Sequence, residues 1–138
     1  MRIVCDDQHI ETTEGFCEQV ADASGQDIEA CYQCGKCTAG CPLAEYFDLA
    51  PNQVMRAAQL GMDDTVLQAK TPWLCASCQT CSTRCPQGID VARVMDFMVM
   101  EALARGIHLM AIEWEEAVPV ILEKAGLLPR PVVERVSA

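Results

Sequence analysis

The sequence predicts an all-α domain built around a duplicated cysteine site. Eight of the ten cysteines fall in two copies of one pattern, C-x2-C-x2-C-x3-C-P. The 42–74 stretch between the copies shows no period-two alternation, so it does not read as strand. The longest patterned stretch, Asp90 to Arg105, instead repeats its apolar residues at the 3.6-residue helical period.

Composition sets the outer limits. A chain of 138 residues suits one domain with a modest core, and 51% apolar against 22% charged residues argues against disorder. Twenty acidic against ten basic residues give a formal charge of −10, which disfavours nucleic acid and anionic membranes as main partners. Aromatic content of only 5% disfavours a large aromatic-lined binding surface. Met1 to Asp7 has one basic residue and no apolar stretch of signal-peptide length. No apolar run approaches the roughly 18 residues of a spanning helix; the stretch from Val91 to Met110 is interrupted by Arg93, Asp96, Glu101, Arg105 and His108. The chain is therefore expected to be soluble and cytoplasmic, where ten cysteines suit metal ligation better than disulfides.

Taken in order, a first helix is expected near Glu14 to Ala23, and the first motif runs from Cys31 to Pro42. Pro51 suits the first turn of a second helix and Gly61 its end, with Val54, Met55, Ala58 and Leu60 as the apolar face. Asp63 or Asp64 is placed to cap a short helix through about Ala69, ended by Thr71-Pro72. The second motif follows, 44 positions after the first, from Cys75 to Pro86. In the helix from Asp90 to Arg105, with Gly106 beyond it, Val91, Val94, Met95, Met98, Ala102 and Leu103 form the stripe. Met95, Met98, Met100 and Met110 are expected to pack a core or a partner. A last helix near Glu113 to Lys124 would be bent by Pro119, with a loose tail from Ala125. The expected division is an N-terminal segment 1–23, a two-cluster helical domain 24–110 and a C-terminal helix and tail 111–138.

The spacing carries the chemistry. A [4Fe–4S] cubane needs one thiolate on each of four irons. Two x2 spacings let three cysteines on one loop reach three corners of one cube, and in two-cluster proteins of this spacing the fourth ligates the other cluster. The expected cofactors are thus two [4Fe–4S] clusters, one held by Cys31, Cys34, Cys37 and Cys85, the other by Cys75, Cys78, Cys81 and Cys41. Zinc is the alternative, but structural zinc sites pair two C-x2-4-C hooks and would leave a cysteine of each copy redundant.

Gly35, Gly40 and Gly88 are expected to take left-handed angles where the chain wraps a cluster. Lys36 and Arg84 either raise cluster potential or are simply solvated charges. Cys5 and Cys17 lie outside the repeat and read as free thiols; His9 and His108 are isolated and read as ordinary residues. No G-x-G-x-x-G or P-loop is present, so no nucleotide or flavin site is expected and no catalytic residue is assigned. Two fully ligated clusters without a catalytic centre imply a relay that takes electrons from one protein and gives them to another.

Residues 24–106 resemble the C subunit of heterodisulfide reductase. The resemblance is carried by Gly25-Gln26-Asp27, by Tyr32-Gln33 and Gly35-Lys36 inside the first motif, by Trp73-Leu74-Cys75-Ala76-Ser77-Cys78, and by Cys81 to Pro86 with the helix after Asp90. It implies an alpha-helical ferredoxin-like fold and a complex in which this chain relays electrons. The implied partners are a flavin/iron–sulfur subunit and a cysteine-rich catalytic subunit. The chain after about His108 does not match that pattern, and Cys5 and Cys17 are not among the family's ligands. Three other readings stand beside it: a free dicluster ferredoxin, an iron–sulfur subunit of a glycolate oxidase or succinate dehydrogenase type, and a zinc-binding interaction module.

Overall fold

The computed structural model describes residues 12–107, all within one compact unit. Among the described residues there are seven α-helices and no strand: α1 (Phe16–Ser24), α2 (Lys36–Gly40), α3 (Pro51–Gln59), α4 (Asp63–Leu67), α5 (Thr71–Leu74), α6 (Thr80–Arg84) and α7 (Val91–Ala104). Short 3-10 turns at Ile28–Ala30 and Ala44–Tyr46 complete the path. The fold is therefore all-α, as the sequence predicts. The expected C-terminal helix and tail, Cys5, His9, His108 and Met110 lie outside the described residues.

Three longer helices form the frame. On α1, Phe16, Val20 and Ser24 are buried at four-residue intervals, one face of a helix. On α7, Val91, Val94, Met95, Met98 and Ala102 are buried. Asp90 caps α7 by accepting the Arg93 N–H (3.2 Å). On α3, Pro51 opens the helix and Val54, Met55, Ala57 and Ala58 are buried, while Gln53 reaches back to accept the Ala50 N–H (2.8 Å). Helix α1 packs on α3 and α7, and the short α4 and α5 also lie against α7. Phe16 and Phe97 meet at the α1–α7 contact with ring centroids 6.5 Å apart.

Some details differ from the sequence expectation. Leu60, Met100 and Leu103 are exposed. Leu60 follows the last turn of α3, where Ala57 completes the buried face instead. Met100, expected against a core or a partner, is two residues, about 200°, from Met98 and so points away from the core, leaving only the partner alternative. Asp63 is not a cap: Met62 holds that position, and Asp63 is buried in an ion pair with Arg105 (2.6 Å), which also pairs with Glu101 (2.8 Å). Burial would raise the Asp63 carboxyl, but hydrogen bonds from the Arg105 guanidinium, the Thr13 side chain and the Asp64 N–H together hold it below the ordinary range. Gly61 ends α3 with φ +70°, and Thr13 lies so close that a Cβ there would be 2.8 Å from its carbonyl oxygen.

Thr71-Pro72 opens a helix as well as ending a stretch. Asp48 makes that possible from 22 residues away: its carboxylate accepts the N–H groups of Lys70 (2.8 Å) and Thr71 (3.1 Å) and the Thr71 hydroxyl (2.8 Å). These are the otherwise unpaired donors at the start of α5, which delivers the chain directly to Cys75. Partial burial works to raise the Asp48 carboxyl, and the donated hydrogen bonds outweigh it and lower it. A carboxyl depressed by folding stabilises fully above its unfolded value of about 4 and loses that contribution as pH falls through the folded value. Asp48→Ala is therefore expected to cost about 1 kcal/mol in anaerobic denaturant unfolding, with the same difference from wild type at pH 5.5 and pH 8. A difference that changes between those pH values contradicts the assignment.

Candidate iron–sulfur centre

The two motifs fold alike, residue for residue. Gln33 (φ +61°) and Gly35 (φ +77°) have left-handed backbone angles, and so do Ser77 (+52°) and Gln79 (+64°) at the matching positions. Each turn leads into a single helical stretch, α2 or α6, that ends in an extended cysteine: Cys41 (φ −76°, ψ 121°) and Cys85 (φ −70°, ψ 119°). Three cysteines thus curl around one space, and the fourth is carried away by the short helix. Helices α2 and α6 pack directly on each other, so each fourth cysteine is delivered to the other motif.

The result is two cysteine-lined cavities. Cys31, Cys34, Cys37 and Cys85 line the first, with Met55 and Val91 among its apolar walls, around about 320 Å³ of space that is partly open to solvent. Cys75, Cys78, Cys81 and Cys41 line the second, with Met95 and Phe47, around about 400 Å³ that is likewise partly open. All eight motif cysteines are brought together in these two sets of four. Cys37 is buried, Cys34 and Cys78 are exposed, and the other five are half-buried.

The walls make isolated thiolates unfavourable. Burial pushes the Cys37 thiol up against the lowering effect of the Thr38 hydroxyl and N–H. Burial also raises Cys41, opposed by the N–H groups of Leu43 and Ala44 and reinforced by Cys78 and Cys81. Cys75 is raised by burial, lowered by the Ser77 N–H, and raised again by Cys81, Cys41 and Asp96. Cys78, at the surface, is pushed down by the Thr80 hydroxyl and N–H. Four thiolates around one apolar cavity therefore call for a strongly positive core between them, and amides and hydroxyls already turned toward sulfur suit a sulfur-rich one. The donor set and the cradle fit a [4Fe–4S] cluster, whose four irons take one thiolate each. Among the described residues, no three His, Cys, Asp or Glu side chains close on a single point as one ion requires.

Two matching latches, one per motif, fix the motifs to the helices beyond them. Thr38 donates its hydroxyl to Asn52 Oδ1 (2.6 Å) and accepts the Asn52 N–H (3.1 Å) at the start of α3. Ser82, the matching residue, donates to Asp90 Oδ1 (2.7 Å) and accepts the Ala92 N–H (3.4 Å) at the start of α7. Hydroxyls at the same position of both repeats were the available signal. Gly35 and Gly88 take left-handed angles as expected, but Gly40 is helical, and its role is space: a Cβ there would lie 2.5 Å from Arg84 Cδ. Arg84 thus lies across the α2–α6 contact, Lys36 is exposed, and Cys17 is a half-buried free thiol.

A fold that is strand-free among the described residues, with two four-cysteine cavities, defines a helical protein of the iron–sulfur class. Residues 30–90 match the family described as a 4Fe-4S dicluster domain, so the chain carries two [4Fe–4S] clusters. The chain is 31% identical to the second iron–sulfur C subunit of the CoB–CoM heterodisulfide reductase of Methanocaldococcus jannaschii, over 88% of this chain and 75% of that one. It is 32% identical to the C subunit of the ferredoxin:CoB-CoM heterodisulfide reductase of Methanosarcina mazei, over 80% and 67% of the two chains. With the C subunit of the H(2):CoB-CoM heterodisulfide,ferredoxin reductase of Methanothermobacter marburgensis the identity is 33%, over 66% and 49%. The chain belongs to the family of heterodisulfide reductase C subunits. It spans about half the length of several of these relatives, the Methanothermobacter protein among them. Among the described residues, no helix is long and apolar enough to cross a membrane.

Anaerobically prepared protein is expected to be brown and to contain about eight iron and eight sulfide per chain, by metal and acid-labile sulfide analysis. A colourless preparation holding zinc and no iron contradicts the centre.

Proposed function

We propose that this chain is an electron-transfer subunit that passes single electrons through its two [4Fe–4S] clusters, linking a flavin/iron–sulfur subunit to a cysteine-rich catalytic subunit of a heterodisulfide reductase-like complex. One cluster is held by Cys31, Cys34, Cys37 and Cys85, the other by Cys75, Cys78, Cys81 and Cys41. The observation that carries this reading is the pair of cavities, each lined by four cysteines drawn from both motifs. Bound there, each cluster accepts and returns one electron.

The protein's own residues supply the rest. With all four irons ligated by cysteine, no corner is left open for a substrate, so the chain relays rather than transforms. Packing of α2 on α6 sets the two sites side by side, and the apolar walls made by Met55, Val91, Met95 and Phe47 limit water and the rearrangement that electron transfer would otherwise require. Each site also has one exposed cysteine, Cys34 or Cys78. Those two corners are the entry and exit points for electrons exchanged with partners, which the acidic surface helps to select.

The names of the relatives place them in enzymes acting on the CoB–CoM heterodisulfide; for this chain the partners and terminal substrate are inferred by family. Affinity purification of the tagged chain from its native host under anaerobic conditions is expected to recover a flavin-containing subunit and a cysteine-rich subunit in fixed ratio. Recovery only as a monomer without flavin would favour a free dicluster ferredoxin and overturn the subunit reading.

A further inference from the structure

The near-symmetry of the two sites makes their differences legible. Beyond the motifs, where positions match at an offset of 44, the latches align α3 with α7 at an offset of 40: Asn52 and Ala92 donate their N–H groups to the matching hydroxyls of Thr38 and Ser82. The alignment holds at the cavity walls, where Met55 faces the first site and Met95 the second, and where Asn52 lines the first and Ala92 the second. Residues that differ at matched positions are therefore what distinguishes one site from the other.

The clearest difference is a chain of amides. In the first site Asn52 Nδ2 donates to Gln33 Oε1 (3.4 Å), and Gln33 Nε2 donates to Cys31 Sγ (3.4 Å). Thr38, bound to Asn52 Oδ1, completes a chain of aligned dipoles that ends on the sulfur. The second site has Ala92 and Ser77 at the two amide positions, so this chain has no counterpart there. The second site has direct contacts of its own, Thr80 3.4 Å from Cys78 Sγ and Ser82 3.9 Å from Cys81 Sγ, so what the first site alone has is the polarising amide behind Gln33. Charges inside the motifs and on the wall helices lean the same way, Lys36 matching Thr80 and Arg56 matching Asp96, while Asp27 and Glu29 ahead of Cys31, matched by Thr71 and Trp73, lean the other way. Asp96 is exposed on α7 and directly follows Met95, a wall residue of the second site. The carboxylate of Asp90, beside the first site, is taken up by Ser82, the Arg93 N–H and the Arg93 guanidinium (3.9 Å). Hydrogen bonds to sulfur and nearby positive charge favour the more negative, reduced state, and a nearby carboxylate opposes it.

We propose that the two sites are electrostatically ordered: the cluster at the Cys31 site has the higher reduction potential, with the Gln33–Asn52 amide pair as tuning residues that raise it and Asp96 lowering its neighbour. This rests on the two-cluster reading above. An electron entering the chain settles first at the Cys31 site, and transfer onward through the Cys75 site is uphill.

The test is a dithionite titration of anaerobic holoprotein followed by electron paramagnetic resonance, with iron counted in every sample. Asn52→Ala and Gln33→Ser give the first site the small residues of the second, removing the polarising amide or the sulfur donor. Each is expected to shift downward the midpoint of the component reduced first and leave the other in place, with the double variant moving no further than Gln33→Ser alone. Asp96→Asn, at the surface, is expected to shift only the later component, upward. With about eight iron per chain retained, unmoved midpoints in Asn52→Ala, or a shift of the first component in Asp96→Asn, overturn the proposal. If Asn52→Ala loses iron, the Asp96→Asn titration decides. Fewer than about eight iron in the wild type counts against the two-cluster reading instead.

Discussion

Everything in this structure depends on the exchange of fourth cysteines between the two motifs. One motif curls three cysteines around a cavity, its short helix carries the fourth away, and the fourth cysteine lining each cavity comes from the other copy. The α2–α6 contact is where that exchange happens. Neither half can therefore make a complete site by itself, and the two sites are held close together by construction. Proximity is what an electron relay requires, and here it follows from how the sites are closed.

The surrounding helices act as a brace for that contact. Hydroxyls at matched positions tie α2 to α3 and α6 to α7, while carboxylates far along the chain fix the remaining segments: Asp48 organises the turn that leads into Cys75, and Asp63 anchors Arg105 just past the end of α7. The Arg105 guanidinium also lies 5.8 Å from the Phe16 ring centre, so the same side chain joins the start of α1 to the α4–α7 corner. Apolar burial alone would leave five-residue helices marginal. Hydrogen bonds at their ends supply the order that short helices cannot supply internally.

Much of this was legible in the residues because it is local and periodic. The motif spacing singled out the eight cysteines that line the two cavities, and the helices around Val54–Met55 and Val94–Met95 followed from periodicity and from Pro51, Asp90 and Gly106. What could not be read depends on which side of an element meets another. Leu60, Met100 and Leu103 are apolar yet exposed because their helices are covered on one side only. Asp63 looks like a cap in sequence and is a buried ion pair because Arg105 reaches it from 42 residues away. Gly40 resembles the other motif glycines, but its missing side chain makes room for Arg84, a neighbour that exists only once the two motifs pack.

Counting iron in paired cysteine variants tests that exchange most directly. If Cys85 serves the same site as Cys31, the double variant Cys31→Ala/Cys85→Ala loses a single cluster and keeps about four iron per chain. Cys75→Ala/Cys85→Ala then damages both sites and keeps almost none. The opposite pattern, with about four iron retained in Cys75→Ala/Cys85→Ala and almost none in Cys31→Ala/Cys85→Ala, would mean that each motif closes its own site, and would contradict the account.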